Sequence, residues 1–304
     1  AVIPLEPPPP TLRGRDQTKT PPRMGYRSGM PFHLGTSSWT AKGWLGSFYP
    51  EGTSTSDFLG HYAEHFPCVE ADTTYYRVPS AKVVENWGAR TPPGFEIAAK
   101  FPRGIVHAGQ GPKPDRDKVL VLSEVEAETE LFLQRMALLG PKCGPLILQF
   151  PYFNQQEFTS PAAFLDRLGD FLELLPSDFR YGVEVRNKNY VGPELLSMLK
   201  QHDVAFVLLD LNYMPHPDTW TAELPLVTAN FLLTRLIGDR KRLDGITDSF
   251  DRIRIDRSED LKRWAKLLRQ LAADVGDAYV FANNHFAGHA PETLRQLAPL
   301  LEAP

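Results

Sequence analysis

The chain has 304 residues, of which 42% are hydrophobic and 23% charged, a composition that excludes a largely disordered protein. Its net charge is −4, so the chain has no overall excess of positive charge, and this argues against a protein that coats nucleic acid. The two cysteines, Cys68 and Cys143, lie far apart and match no zinc pattern, so they argue against a disulfide scaffold or a cysteine-built metal site.

Residues 1–30 are rich in proline, with a run at Pro7–Pro10, and contain scattered basic residues. Such a segment buries too little apolar surface to fold, so a flexible tail is predicted, with a partner-binding polyproline segment as the alternative. The chain shows no apolar run of about eighteen residues and no secretory leader pattern. These features predict a cytoplasmic protein without membrane contact.

From Phe32 onward, short apolar runs alternate with segments of helical period, as in repeated βα units with a parallel sheet. Eight strands are predicted: Phe32–Ser38, Cys68–Thr73, Glu96–Lys100, Leu146–Phe150, Tyr181–Arg186, Ala205–Asp210, Phe231–Leu236 and Tyr279–Asn283. Helices are predicted between them at Ser56–His65, Lys82–Arg90, Ser123–Leu139, Ala162–Leu174, Glu194–Gln201, Ser258–Asp274 and Pro291–Leu301. Ser123 and Glu126 have the spacing of a capping box, and acids follow Ser258 at the start of its helix.

Eight strands over about 270 residues predict a (β/α)₈ TIM-barrel-like domain spanning residues 31–304, with parallel strands closed inside a ring of helices. A doubly wound open sheet is the alternative, but no Gly-rich phosphate-binding sequence follows Gly35. The stretch Asn212–Pro225, which contains several prolines, is predicted to form a long functional loop after the sixth strand.

Polar side chains end nearly every predicted strand: Glu70 and Asp72, Lys100, Gln149, Glu184 and Arg186, Asp210, Arg235, then Asn283 and Asn284. Buried parallel strands are near-continuous apolar runs, so these polar residues are expected where the strands emerge. Strand side chains alternate, which places Glu70 with Asp72, and Glu184 with Arg186, on one face. The pattern therefore predicts a ring of polar groups at the mouth of the barrel, where such barrels hold their active sites.

The residue types suggest roles for this ring. Candidates for general acid or base, with His107 as a relay, are Glu70, Asp72, Glu184 and Asp210. Candidates for holding an anion are Arg77, Lys100, Arg186 and Arg235. Candidates for closing the pocket or hydrogen-bonding the ligand are Trp39, Tyr76, Gln149, Asn283, Asn284 and His285. The competing interpretation is that the Arg–Glu pairs form a structural network inside the barrel.

No cofactor is predicted. The mouth carboxylates together with His285 offer ligands for a divalent metal, but no metal-binding motif is present and the interleaved arginines would repel a cation.

Several short segments, taken with their order and spacing, carry a family resemblance. They are Gly35-Thr-Ser-Ser-Trp39, Phe48-Tyr-Pro50, Glu70-Ala-Asp-Thr-Thr-Tyr-Tyr-Arg77, Pro92 to Phe95, Lys100, His107, Gln149-Phe-Pro151, Glu184-Val-Arg186, Arg235 and Phe281-Ala-Asn-Asn284. With these segments the chain resembles the YecE-like family, also called domain of unknown function 72, over nearly everything after about residue 31. The resemblance implies a TIM-barrel-like fold and says little about chemistry. The sequence departs from the family pattern at Asp72, Ile237 and His285.

The leading interpretation is a cytoplasmic barrel enzyme, with hydrolase as the candidate class, that acts on an anionic phosphate- or nucleotide-like small molecule by hydrolysis or acid–base chemistry. One alternative is a binding module for nucleic acid or protein that uses the positive mouth together with Arg240, Lys241 and Arg242. Another is a metal-dependent barrel hydrolase or isomerase.

Overall fold

The computed structural model describes residues 32–109 and 111–302, so the predicted tail at residues 1–30 lies outside the described residues. Eight strands occur in those ranges: β1 Phe32–Thr36, β2 Cys68–Ala71, β3 Glu96–Lys100, β4 Cys143–Gln149, β5 Tyr181–Glu184, β6 Ala205–Leu211, β7 Phe231–Gly238 and β8 Asp277–Ala282. Neighbouring strands pair in parallel in the order β1-β8-β7-β6-β5-β4-β3-β2. The predicted TIM-barrel-like fold is confirmed.

Helices connect the strands. They are α1 Phe58–Ala63, α2 Ala81–Ala89, α3 Arg103–Val106, α4 Leu122–Ala137, α5 Pro161–Leu174, α6 Pro193–Gln201, α7 Arg240–Asp244, α8 Ser258–Ala272, α9 Asn284–Ala287 and α10 Ala290–Glu302. The predicted helices are present with shifted ends, and α8 begins at Ser258 with two acids in its first turn, as expected. The capping box predicted at Ser123 is wrong, because α4 begins one residue earlier and Val121 occupies its N-cap. Helices α3, α7 and α9 were not predicted, since four or five residues are too few to show a helical period.

The inside of the barrel is layered. Small and apolar side chains fill the middle: Cys68, Ala98, Ile147, Ala205, Val207, Phe231, Leu233, Tyr279 and Phe281. Below them, toward the amino ends of the strands, Arg180 Nη2 lies 2.6 Å from Glu96 Oε2, and the Tyr279 hydroxyl donates to the same oxygen over 2.7 Å. Two residues further along four of the strands, alternation brings polar side chains inward at the carboxyl ends. The apolar middle layer therefore separates two polar ends.

The barrel closes between β1 and β2 without a ladder of backbone hydrogen bonds in the described parts of the chain. The hydroxyl of Tyr62, on α1, bridges this seam: it accepts from the Thr36 backbone N–H over 2.8 Å and donates to the Cys68 carbonyl over 3.0 Å. Gly35 permits the close approach, because a Cβ there would lie 2.4 Å from the Cys68 carbonyl oxygen. One buried phenol thus takes the place of a strand-to-strand hydrogen bond.

Replacing Tyr62 by phenylalanine should lower the free energy of unfolding by about 1–3 kcal/mol, because buried backbone groups of Thr36 and Cys68 would lose their shared partner. Urea unfolding measures the effect. Tyr76→Phe is the matched control, since the Tyr76 side chain is exposed. Equal unfolding midpoints for the two variants would show that the seam does not depend on the phenol.

Candidate functional site

Arg235, on β7, lies at the centre of a buried ion-pair network near the carboxyl ends of the strands. Its Nε and Nη2 donate to the two carboxylate oxygens of Glu70 over 2.7 and 2.8 Å, a bidentate arrangement. Its Nη1 donates to Gln149 Oε1 over 2.9 Å and also to Glu184. The Arg235 side chain is 1% exposed and both glutamates are fully buried. The central guanidinium is therefore already occupied by protein groups.

Two further cations flank this centre. Lys100 Nζ lies 3.1 Å from Glu70 Oε1, and Arg186 Nε lies 2.8 Å from Glu184 Oε1. We call Glu70, Lys100, Gln149, Glu184, Arg186 and Arg235 the mouth network. Its three cations share two carboxylates, so the ionised network contains one more positive charge than negative charges.

The charges of the network hold the buried glutamates ionised. Burial alone raises the pKa of Glu184, but Arg235 and Arg186 outweigh it and lower the pKa to about 2. Burial likewise raises the pKa of Glu70, and Arg235 with Lys100 brings it below its ordinary value. Burial lowers the pKa of Lys100 by more than the attraction of Glu70 raises it. Lys100 is thus the cation of the network that gives up a proton most readily.

A cavity of about 250 Å³ opens beside the network, and we call it the β1–β8 cavity. Its lining residues are Thr36, Ser37, Ser38, Thr40, Ala41, Trp44, Asp72, Phe250, Ala282, Asn283, Asn284, His285 and Ala290. Asp72 begins the 3₁₀ turn that follows β2, which turns its carboxyl onto the cavity wall. Burial raises the pKa of Asp72 above its ordinary value, although Lys100 acts in the opposite direction.

The residues after β8 form the far wall of this cavity. Asn283 caps α9, and its Oδ1 accepts from the His285 backbone N–H over 3.0 Å and from His285 Nδ1 over 2.7 Å. Asn284 Oδ1 accepts from Trp44 Nε1 over 3.1 Å, and His285 Nε2 lies 3.1 Å from Asp244 Oδ1. Both asparagine carbonyls are therefore used by the protein, while neither Nδ2 group donates to another residue in the described ranges.

Asp210 does not join the mouth network, contrary to the prediction. On β6 the side chains of Ala205 and Val207 face the barrel interior, so alternation turns Asp210 outward. Its carboxylate instead accepts from Trp264 Nε1 over 2.8 Å and from Arg257 Nη2 over 3.1 Å. Asp210 therefore fastens α8 to the outside of the barrel.

Four other predicted residues also lie apart from the network. His107 is buried in the loop after α3, where its Nδ1 accepts from the Gly109 backbone N–H over 3.2 Å and its Nε2 faces the Pro112 carbonyl at 3.3 Å. Trp39 packs edge-on against Trp87 in the hydrophobic core. Tyr76 and Arg77 follow β2 and are exposed. Neither is seen to contact the mouth network within the described parts of the chain.

Ser37 and Tyr213 were missed by the sequence analysis. Ser37 is buried against the β1–β8 cavity, and it follows Gly35 by two residues, so strand alternation could have placed it inward. Tyr213 interacts electrostatically with Arg186. It belongs to the loop after β6 that was predicted to be functional, but no periodicity shows which residue of a loop turns inward.

Within residues 32–109 and 111–302, no group of three or more His, Cys, Asp and Glu side chains is placed to hold a metal ion. None of the helices described there is long and apolar enough to cross a membrane.

A match to a protein-family model shows which family the chain belongs to. The family model described as protein of unknown function DUF72 matches residues 33–304. The chain belongs to the DUF72 family. The resemblance to YecE-like proteins is thereby confirmed, and with it a family whose function has not been determined.

Two curated relatives and one solved structure illustrate the affiliation of this DUF72 protein. The UPF0759 protein YecE of Escherichia coli K12 is 35% identical over 158 residues, which are 50% of this chain and 52% of YecE, so the match spans about half the length of that relative. The UPF0759 protein YunF of Bacillus subtilis 168 is 24% identical over 89% of this chain and 94% of YunF. A DUF72 family protein from Enterococcus faecalis V583 has the same fold, with a TM-score of 0.66 and 21% identity over 90% of this chain and 96% of that one.

Proposed function

We propose that this DUF72 protein is an enzyme that acts on an anionic, phosphate- or nucleotide-like substrate by acid–base chemistry at the carboxyl ends of the barrel strands. One observation carries the proposal: the Asp72 carboxyl lines the β1–β8 cavity and interacts electrostatically with the buried Lys100–Glu70 pair. A carboxyl group and a buried amine are thereby neighbours at the edge of a space that a small molecule can enter.

Asp72 and Lys100 are suited to exchange protons with a substrate. Burial raises the pKa of Asp72, which favours its acid form, and burial lowers the pKa of Lys100, which favours its basic form. A general acid and a general base work best when their pKa values lie nearer to neutrality than those of free side chains. Asp72 is therefore assigned the role of proton donor, and Lys100 that of proton acceptor.

The substrate anion is assigned to Arg186 and not to Arg235. Arg235 donates to three side chains and is 1% exposed, so it has no face left for a ligand. Arg186 is 23% exposed and meets one carboxylate, through its Nε. The positive charge that the two glutamates leave unbalanced supplies the attraction for an anion.

A panel assay tests the proposal. Phosphate esters, nucleotides and carboxylic acids are incubated with the protein, and phosphate release and hydrogen–deuterium exchange into the compound are followed by NMR. At least one anionic compound should be turned over, and Arg186→Ala should raise its KM about tenfold with little change in kcat, because one charge-assisted contact would be lost.

Turnover of neutral compounds alone, or an unchanged KM in Arg186→Ala, would contradict the proposal. Arg240→Ala is the matched control, since that arginine is exposed on α7 and does not belong to the network. Binding to single-stranded and duplex oligonucleotides, measured over a range of salt concentrations, tests the alternative of a nucleic-acid-binding module. The affinity of such a module would fall steeply with salt.

A further inference from the structure

Ser37 carries a buried hydroxyl that the protein itself does not satisfy. Its backbone N–H donates to the Ala282 carbonyl over 2.9 Å, which holds the residue firmly against β8. The side chain is 3% exposed, lines the β1–β8 cavity, and its Oγ has no hydrogen-bond partner in the described ranges. Buried polar atoms in native proteins nearly always have a partner, so an exception that faces a cavity points to a ligand group.

The rest of the cavity wall offers both hydrogen-bond donors and hydrogen-bond acceptors. Asn283 and Asn284 use their carbonyl oxygens within the protein, which leaves their amide N–H groups as donors. Asp72 supplies a carboxyl, and the rings of Trp44 and Phe250 supply apolar surface. At about 250 Å³ the cavity lies below the roughly 300–1,000 Å³ of sites for drug-sized ligands, so it suits a single small ring.

We infer that the β1–β8 cavity binds the sugar ring of the substrate, with Ser37 and Asp72 on its hydroxyl groups. A sugar hydroxyl both donates and accepts, so it matches a wall that presents a serine hydroxyl, amide donors and a carboxyl. The apolar C–H face of the ring would lie against the aromatic side chains. This inference rests on the proposed function and narrows its substrate class to sugar phosphates and nucleotides.

Binding measurements with ribose 5-phosphate, ribose and inorganic phosphate test the inference. The native protein should bind ribose 5-phosphate more tightly than either fragment. Ser37→Ala should lower the affinity for ribose and for ribose 5-phosphate about tenfold, which is the effect of losing one buried hydrogen bond. The affinity for inorganic phosphate should be unchanged. Ser54→Ala is the control, because the Ser54 hydroxyl lies outside the β1–β8 cavity and pairs with that of Ser56 at 2.6 Å.

A second readout separates ligand binding from a structural role. Without ligand, Ser37→Ala should raise the thermal unfolding midpoint, because it removes a buried hydroxyl that has no partner. A lower midpoint, or sugar affinities equal to those of the native protein, would overturn the inference. Sugar binding that depends on Ser37, together with no phosphate binding, would keep the inference and refute the anionic substrate of the proposed function. Phosphate binding that depends on Arg186, with no sugar binding, would support the anionic substrate of the proposed function and refute the inference of a sugar site.

Discussion

Replacing Arg235 by methionine is expected to lower the free energy of unfolding by about 3–5 kcal/mol, because Glu70 and Glu184 would stay buried without their shared cation. Both carboxylates are fully buried, and water cannot replace the lost hydrogen bonds without opening the barrel. Urea unfolding at pH 7 measures the loss. Arg240→Met, at an exposed position on α7, controls for the removal of a guanidinium and should change stability by less than about 1 kcal/mol.

The pH dependence identifies the cause of that loss. In the native protein the pKa values of Glu70 and Glu184 lie below their ordinary value of 4.5, so their ion pairs stabilise the fold above that pH and the benefit is lost as the pH falls. Without Arg235 the buried carboxylates protonate more easily, so the difference in the free energy of unfolding between the variant and the native protein should narrow as the pH falls. Adding Glu70→Gln and Glu184→Gln to the variant should recover part of the loss. An Arg235→Met protein as stable as the native one at pH 7 would show that the network does not hold the barrel together.

Replacing Asp72 by asparagine is expected to lower kcat by about 10²–10⁴-fold on any substrate found in the panel, because asparagine cannot donate the proton. The same variant should be more stable than the native protein at pH 7. Loss of activity combined with a gain in stability is the signature of a carboxylate that is kept for function at a cost to the fold. Steady-state kinetics and urea unfolding measure the two effects.

The sign of the stability change follows from the raised pKa of Asp72. Its ordinary value is 3.8, and folding favours the protonated form, so the stabilisation from the bound proton is complete below pH 3.8 and is lost as the pH rises through the folded-state value. Above pH 3.8 the Asp72 carboxyl ionises more readily in the unfolded chain than in the native protein, a destabilisation that asparagine lacks, so the difference in stability should vanish at acid pH. Asp210→Asn is the matched control: it should keep full activity and lose stability, because that carboxylate binds α8. An active Asp72→Asn protein would refute the assigned proton donor.

Local sequence determined the architecture of this protein. Short apolar runs separated by helical segments predicted all eight strands, because a parallel strand covered on both faces must be apolar along its length. The same reasoning placed Glu70, Lys100, Gln149 and Arg235 toward the strand ends, and period-two alternation put Glu184 and Arg186 on one face, where they pair. These properties depend on neighbours along the chain, so they can be derived without the fold.

Only the tertiary structure decided which charges meet. Arg235 looks like a free anion-binding group in the sequence, yet it reaches across the barrel to Glu70 and Glu184 and is neutralised there. Asp210 is the last residue but one of β6, and the strand residues before it are all apolar, so the sequence contains no sign of the face on which it lies. The partners of a long charged side chain are set by distances between strands that are remote in sequence, and those distances exist only once the barrel has closed. The ring predicted at the strand ends is therefore divided in the folded protein into a buried, ion-paired centre, an edge formed by Asp72 and Ser37, and side chains such as Asp210 that hold the scaffold together.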